Sequence, residues 1–204
     1  MTKQALNQKA LFLSYFTIAY NVLEGLLSIG AGLWGGSIAL VGFGLDSFVE
    51  SLSGGVMVWR FQNHATLSEE EEERIEQKAI RLIAYTFFIL AVYVFYESFR
   101  TLYLREAPGP NLMGIIIAAV SLVVMPLLFY AKYRTARSLG SRSLVADSKQ
   151  TLACCFMSLS LLVGLGLNYL YGIWQADPVV GLIIAAYLVR EGYGAWREGK
   201  VCAC

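Results

Sequence analysis

Long apolar stretches decide what this chain can fold into. Runs of about 20 residues nearly free of charge match a ~30 Å hydrocarbon core at 1.5 Å rise per residue. Six such runs lie at about residues 10–33, 38–60, 78–103, 112–133, 144–170 and 178–196. The composition agrees: 57% of residues are hydrophobic, 15% are charged and mean hydropathy is +0.56, outside the range of soluble domains. A soluble bundle of these helices would be apolar nearly all round, with nothing to bury that surface. The spacing therefore predicts an all-α membrane protein with six transmembrane helices in one bundle. The N-terminal "MTKQALNQKA" lacks a small-residue cleavage site and leads into a full-length span, so no cleaved signal peptide is expected.

Lysine and arginine set the expected orientation. Lys3 and Lys9 precede the first span. Arg60, Arg74, Lys78 and Arg81 mark the second connection, and Lys132, Arg134, Arg137 and Arg142 the fourth. Arg190, Arg197 and Lys200 belong to the tail, whereas only Arg100 and Arg105 fall near the third connection. The first and fifth connections, "LWGGS" and "YGIWQADP", carry no basic residue. The positive-inside rule then puts both termini in the cytoplasm, consistent with an even number of spans. The net charge of +1 adds no sign of a nucleic-acid partner.

The links are short, and a single transmembrane domain over 1–204 is expected. The longest connection, "QNHATLSEEEEERIEQK", has Ser68 and Glu71 at capping-box spacing, so the acidic run opens a helix that continues into the third span. Glu69 to Glu73 read as a solvated helix start favoured by the macrodipole, or as a metal-attracting patch. His64, the only histidine, reads as a solvated loop residue. Pro126 is expected to kink the fourth span. Asp177 before Pro178 has the pattern of an N-cap with Pro at the first helical position. Glu97 is expected to pair with Arg100 at i,i+3.

Within the spans, ionisable residues carry the functional information, because a charge in the bilayer interior is costly and usually faces a polar centre. In "GLDSFVESLSG" Asp46 and Glu50 are four residues apart, on one helical face with Ser53 and Gly54. The second span offers no basic residue before Arg60. Two carboxylates at that spacing repel when ionised, and a divalent cation or bound protons would compensate them. The other reading is a pair held protonated by hydrogen bonds. In "LVADSKQTLACCFMS" of the fifth span, Asp147, Gln150 and Cys154 share a face, while Lys149 and Cys155 point elsewhere. Counted from the cytoplasmic ends, Glu50 and Cys154 both lie about 16 Å deep at 1.5 Å per residue, with Asp147 shallower and Asp46 deeper. Carboxylate and thiolate both ligate Zn²⁺; Cys154 reads equally as a small buried hydrophobe. Glu24, three residues after Asn21 and level with Asp46, reads as a supporting or proton-carrying group, or as a hydrogen-bond partner of Asn21.

The segments "SIALVGFGLDSFVES", "VADSKQTLACC" and "ADPVVGLIIAAYLVREG" resemble the membrane domain of the cation diffusion facilitator, or cation efflux, family. The resemblance runs from the first span to about residue 196. It implies export of divalent metal from the cytoplasm in exchange for protons, with two ligands from the second span and two from the fifth. Asp46 and Glu50 match the second-span pair, with Glu in place of the usual Asp. Gln150 stands where a His or Asp is common, and Cys154 where Asp is usual. Asp147 belongs to the matching "VAD". The chain ends about where the family's cytoplasmic domain would begin, so it resembles a short branch made of the membrane domain alone.

The expectation is a transporter in a bacterial inner membrane, with Zn²⁺ as its transported substrate and Cd²⁺, Fe²⁺, Mn²⁺ or Co²⁺ as other candidates. Its candidate metal residues are Asp46, Glu50, Asp147, Cys154, Gln150 and Glu24. Its partners would be divalent metal, protons, membrane lipid and a second copy through transmembrane helices. The rival expectation is a non-transporting membrane protein that binds metal and modulates another protein. An enzyme is not expected: the spans hold no histidine, and neither H-E-x-x-H nor G-x-S-x-G occurs.

Overall fold

A computed structural model describes residues 3–63, 69–105 and 111–201. His64 and Ser68 lie outside the described residues, and so do Cys202 and Cys204 of the terminal "CAC", for which free thiols are expected. Six helices follow one another: α1 (Lys3–Gly35), α2 (Ile38–Asn63), α3 (Glu69–Leu104), α4 (Leu112–Leu139), α5 (Arg142–Tyr171) and α6 (Ala176–Val201). The described residues contain no strand. Each helix covers its expected span and most run further. The third begins at Glu69, so the acidic run does open a helix. α4 continues through Pro126.

The turns have identifiable causes. Gly36, at φ 69°, reverses the chain between α1 and α2, a left-handed conformation that favours glycine. Ser37 then accepts the backbone N–H of Leu40 with its hydroxyl oxygen at 3.2 Å, as an N-cap does. Asn111 caps α4 by accepting from the Gly114 N–H at 2.9 Å and donates to the Ala31 carbonyl at 2.6 Å, tying α4 to α1. Gly140 and Gly172, both at φ 66°, end α4 and α5.

The helices pack as two hairpins, α1 on α2 and α4 on α5, beside a third pair formed by α3 and α6. α2 touches α1, α3, α5 and α6. From Ile38 to Ser51 almost every α2 residue is buried. The α1–α2 crossing is very close: a Cβ on Gly25 would lie 2.9 Å from the Gly44 carbonyl oxygen, and one on Gly44 equally near that of Gly25. Small residues at a helix crossing allow such approach in a membrane. The core joins Leu40 and Phe43 of α2 to Val94, Met125, Leu161 and Ile184 of the other helices. Large apolar side chains such as Leu26, Trp34, Ile89, Phe99 and Leu127 point outward, the arrangement of a bundle whose solvent is lipid.

Within the described residues, five helices are long and apolar enough to cross a membrane, and α2 is the one that is not among them. Its sheathing explains this. A helix wrapped by protein need not be apolar, and α2 spends that freedom on Asp46, Glu50, Ser47, Ser51 and Ser53. The chain is an integral membrane protein.

Two sequence expectations about charged residues resolve differently. Glu97 does pair with Arg100, at 3.2 Å. Asp177 does not act simply as the cap of α6, which begins one residue earlier at Ala176. Its buried carboxylate accepts from the Ser37 hydroxyl and faces the backbone N–H groups of Ile38 and Ala39, so it secures the start of α2 from across the bundle.

Candidate metal-binding centre

The centre of the bundle holds a set of acids from three helices. Glu24 of α1, Asp46 and Glu50 of α2, and Asp147 of α5 are all buried. The close glycine crossing brings α1 against α2, where Glu24 accepts from the Ser47 hydroxyl at 2.9 Å. Asn21 does not bond Glu24. Among the described residues neither of its amide atoms has a formed hydrogen bond, and the side chain faces Glu50.

The α2–α5 contact is set by two hydroxyls. Ser53 of α2 donates to Oδ1 of Asp147 at 3.0 Å, and Thr151 of α5 donates to Oε1 of Glu50. This corrects the depth count from the sequence: Thr151, not Cys154, stands opposite Glu50. The same antiparallel register puts Cys154 one turn further on, level with Asp46. Cys154 is fully buried in the core, with Glu24, Glu50 and Asp46 near enough to act on it electrostatically, and Cys155 donates its thiol to the Thr151 carbonyl at 3.3 Å. Gln150 is buried, its amide nitrogen without a partner among the described residues, while Lys149 is exposed.

A fifth charge, unread in the sequence, completes the centre. The sequence puts Lys132 at the cytoplasmic flank of the fourth span, but α4 runs on to Leu139 and carries it on the buried face. Its side chain is fully buried. The ammonium lies 2.9 Å from Oδ2 of Asp147 and 3.5 Å from Oε1 of Glu50, and donates to the Thr151 hydroxyl oxygen at 2.9 Å. The signal was present in spacing. Ser121, Met125, Leu128, Lys132 and Thr135 recur at alternating steps of four and three and form the buried stripe of α4.

A second buried pattern runs along α1. Ser14, Thr17, Asn21, Glu24 and Ser28 repeat at steps of three and four along α1, and all are buried. In a membrane helix such a polar stripe must face other protein or a wet cavity. Glu191 of α6, half-buried beside Tyr187, faces Asp46 from the remaining side.

Chemically, the centre holds more acids than bases. Among the described residues, Oδ1 of Asp46 and Oε2 of Glu50 have no hydrogen-bond partner, which a buried carboxylate oxygen ordinarily acquires. Among the described residues, no three His, Cys, Asp or Glu side chains converge closely enough to hold one ion. Glu50 and Asp147 converge on the Lys132 ammonium instead.

The cation efflux transmembrane domain family matches residues 14–200. Transmembrane protein 163 of Xenopus laevis is 23% identical over 190 residues, covering 93% of this chain and 66% of that protein. An uncharacterized transporter of Synechocystis sp. is 24% identical over 176 residues, with 84% and 57% covered. An uncharacterized transporter of Methanocaldococcus jannaschii is 23% identical over 190 residues, with 91% and 66% covered. The chain thus spans between 57% and 66% of the length of these relatives. With the match extending over nearly all six helices and taking in every acid of the centre, the chain belongs to the cation efflux family.

Proposed function

We propose that this protein moves a divalent metal cation, Zn²⁺ first among the candidates, out of the cytoplasm across the membrane that bounds it, in exchange for protons. The observation that carries the reading is the buried acidic centre shared by α1, α2 and α5, shielded from lipid and holding unpartnered carboxylate oxygens. Intramembrane acids of this kind mark ion pathways. Asp46, Glu50 and Asp147 are the proposed carboxylate ligands. Cys154 would add a thiolate at the level of Asp46, with Gln150 and Glu24 flanking the set. Ligands must be deprotonated to bind metal, so cation and protons compete for the same oxygens, which is the elementary requirement for exchanging one for the other. Rocking of the helix pairs around this midplane site would expose it to one side and then the other. Both termini in the cytoplasm would fit the distribution of basic residues.

The rival reading, a metal-binding membrane protein that does not transport, is favoured by one observation: no three ligand-type side chains converge among the described residues. Reconstitution separates the two. Proteoliposomes carrying a zinc dye and a pH dye should show Zn²⁺ entry accompanied by proton release from the lumen. Asp46→Asn and Glu50→Gln should abolish both signals while the protein still inserts. Zn²⁺ binding without entry would overturn transport, and entry without a pH signal would overturn proton exchange.

A further inference from the structure

Lys132 is the only buried base among the described residues, and it sits where a cation would sit. Its ammonium bridges a carboxylate of α2 and a carboxylate of α5, at 3.5 and 2.9 Å. A divalent metal held by those two carboxylates would lie about 2.0–2.2 Å from their oxygens, in the same space. The two positive groups cannot share it: their contact distances overlap, and their charges repel strongly in a desolvated site. We propose that Lys132 is a tethered cation that fills the empty centre, and that a divalent metal binds between Glu50 and Asp147 only by expelling it. This rests on the reading that Glu50 and Asp147 meet the transported metal.

The charge count supports a displacement. Glu50 and Asp147 as carboxylates carry two negative charges, which one dication neutralises. A dication beside a retained ammonium would set three positive charges at contact range against those two carboxylates, leaving the excess to the more distant Asp46 and Glu24. With the ammonium in place and the metal gone, three helices remain tied together through Lys132, Thr151, Glu50 and Asp147. The emptied protein therefore has a cohesive centre of its own. Lysine suits the role because its ammonium is a compact point charge on a flexible stem, and it can withdraw without moving its helix. Thr151 is the positioning residue, since its hydroxyl accepts from the ammonium and donates to Glu50.

A tethered competitor has two effects on a transporter. It lowers affinity for every cation, so only a strongly coordinating dication displaces it. It also returns as the metal leaves, which speeds release. Removing it should tighten binding and slow turnover.

The test measures Zn²⁺ binding to the purified full chain by calorimetry at one fixed pH, with Zn²⁺ flux in proteoliposomes. Lys132→Met and Lys132→Gln are expected to bind Zn²⁺ at least about tenfold more tightly, equivalent to ~1.4 kcal/mol, and to transport it more slowly. Thr151→Val, which removes the bridging hydroxyl and keeps the shape, should shift affinity in the same direction by a smaller factor. It decides the question alone if neither lysine variant folds. Unchanged or weaker Zn²⁺ binding in the lysine variants, or in Thr151→Val where only that protein is obtained, would overturn the proposal. The underlying reading fails differently: Glu50→Gln would then bind Zn²⁺ as the wild type does, or the wild type would bind none.

Discussion

Replacing Asp147 by Asn should destabilise the protein more than replacing Glu50 by Gln, and the distances say by how much. At an effective dielectric of about 20, the Lys132 ammonium gains ~6 kcal/mol of gross attraction from Asp147 at 2.9 Å and ~5 kcal/mol from Glu50 at 3.5 Å. Each substitution recovers the desolvation penalty of the carboxylate it removes and leaves the second acid in place. The net loss should therefore fall below the ~3–5 kcal/mol seen when a buried charge loses its last partner. We expect about 2–3 kcal/mol for Asp147→Asn and about 1–2 kcal/mol for Glu50→Gln. In the latter, Thr151 can still donate to the amide oxygen. In a Lys132→Met background the order should collapse. There the two acids face each other without a counterion, and Asp147→Asn becomes neutral or stabilising. The double-mutant cycle between positions 132 and 147 should thus show a coupling of about 2 kcal/mol or more. Denaturant unfolding in detergent, followed through the four tryptophans, measures each corner. Additive effects at 132 and 147, or a larger loss from Glu50→Gln than from Asp147→Asn, would refute the ion-pair geometry.

Other consequences are open to simpler assays. Gly44→Val should push α1 from α2, because its Cβ meets a backbone oxygen that cannot turn aside; a loss of about 1–3 kcal/mol is expected in the same unfolding assay, against almost none for Gly30→Ala, where the Cβ would meet open space. Cys154→Ser should weaken Cd²⁺ binding far more than Mn²⁺ binding, since thiolate favours the softer ion, while Cys155→Ser changes neither. Equal effects of the two would make Cys154 a packing residue. A cysteine placed at position 200 in a cysteine-free background should stay unlabelled by an impermeant reagent until cells are permeabilised, and labelling of intact cells would reverse the orientation.

Number and type of helices were legible because hydropathy is a one-dimensional property, read without knowing which helices touch. The acids of α2 were legible for a related reason: two carboxylates in an apolar run conflict with their surroundings, and the conflict is visible locally. Lys132 was harder, since a lysine followed by arginines near the end of a span looks like a cytoplasmic flank. Only the buried stripe from Ser121 to Thr135 distinguishes it, and that stripe counts only once the helix is known to continue to Leu139. Thr151 was missed because a threonine provokes no conflict in an apolar helix; its role depends on the register between α2 and α5. Asp177 was read through its own helix, whereas its carboxylate serves one that begins 139 residues earlier, at Ile38, a relation no local window contains.

The sheathing of α2 also bears on how the protein is made. A carboxylate at the centre of a span weighs against membrane insertion by ~2.5–3.5 kcal/mol, and α2 carries two. Taken alone as it leaves the ribosome, it falls outside the set of helices apolar enough to cross a membrane. α1 is synthesised first, is apolar enough to enter by itself, and offers Gly25 as a seat for Gly44 and a hydroxyl-lined stripe in place of hydrocarbon. The two-residue turn at Gly36 and Ser37 keeps them together throughout. Entering as the second arm of a hairpin with α1, the acidic helix would find protein beside its carboxylates at once, so the order of the helices along the gene bears on delivering charge to the middle of the membrane.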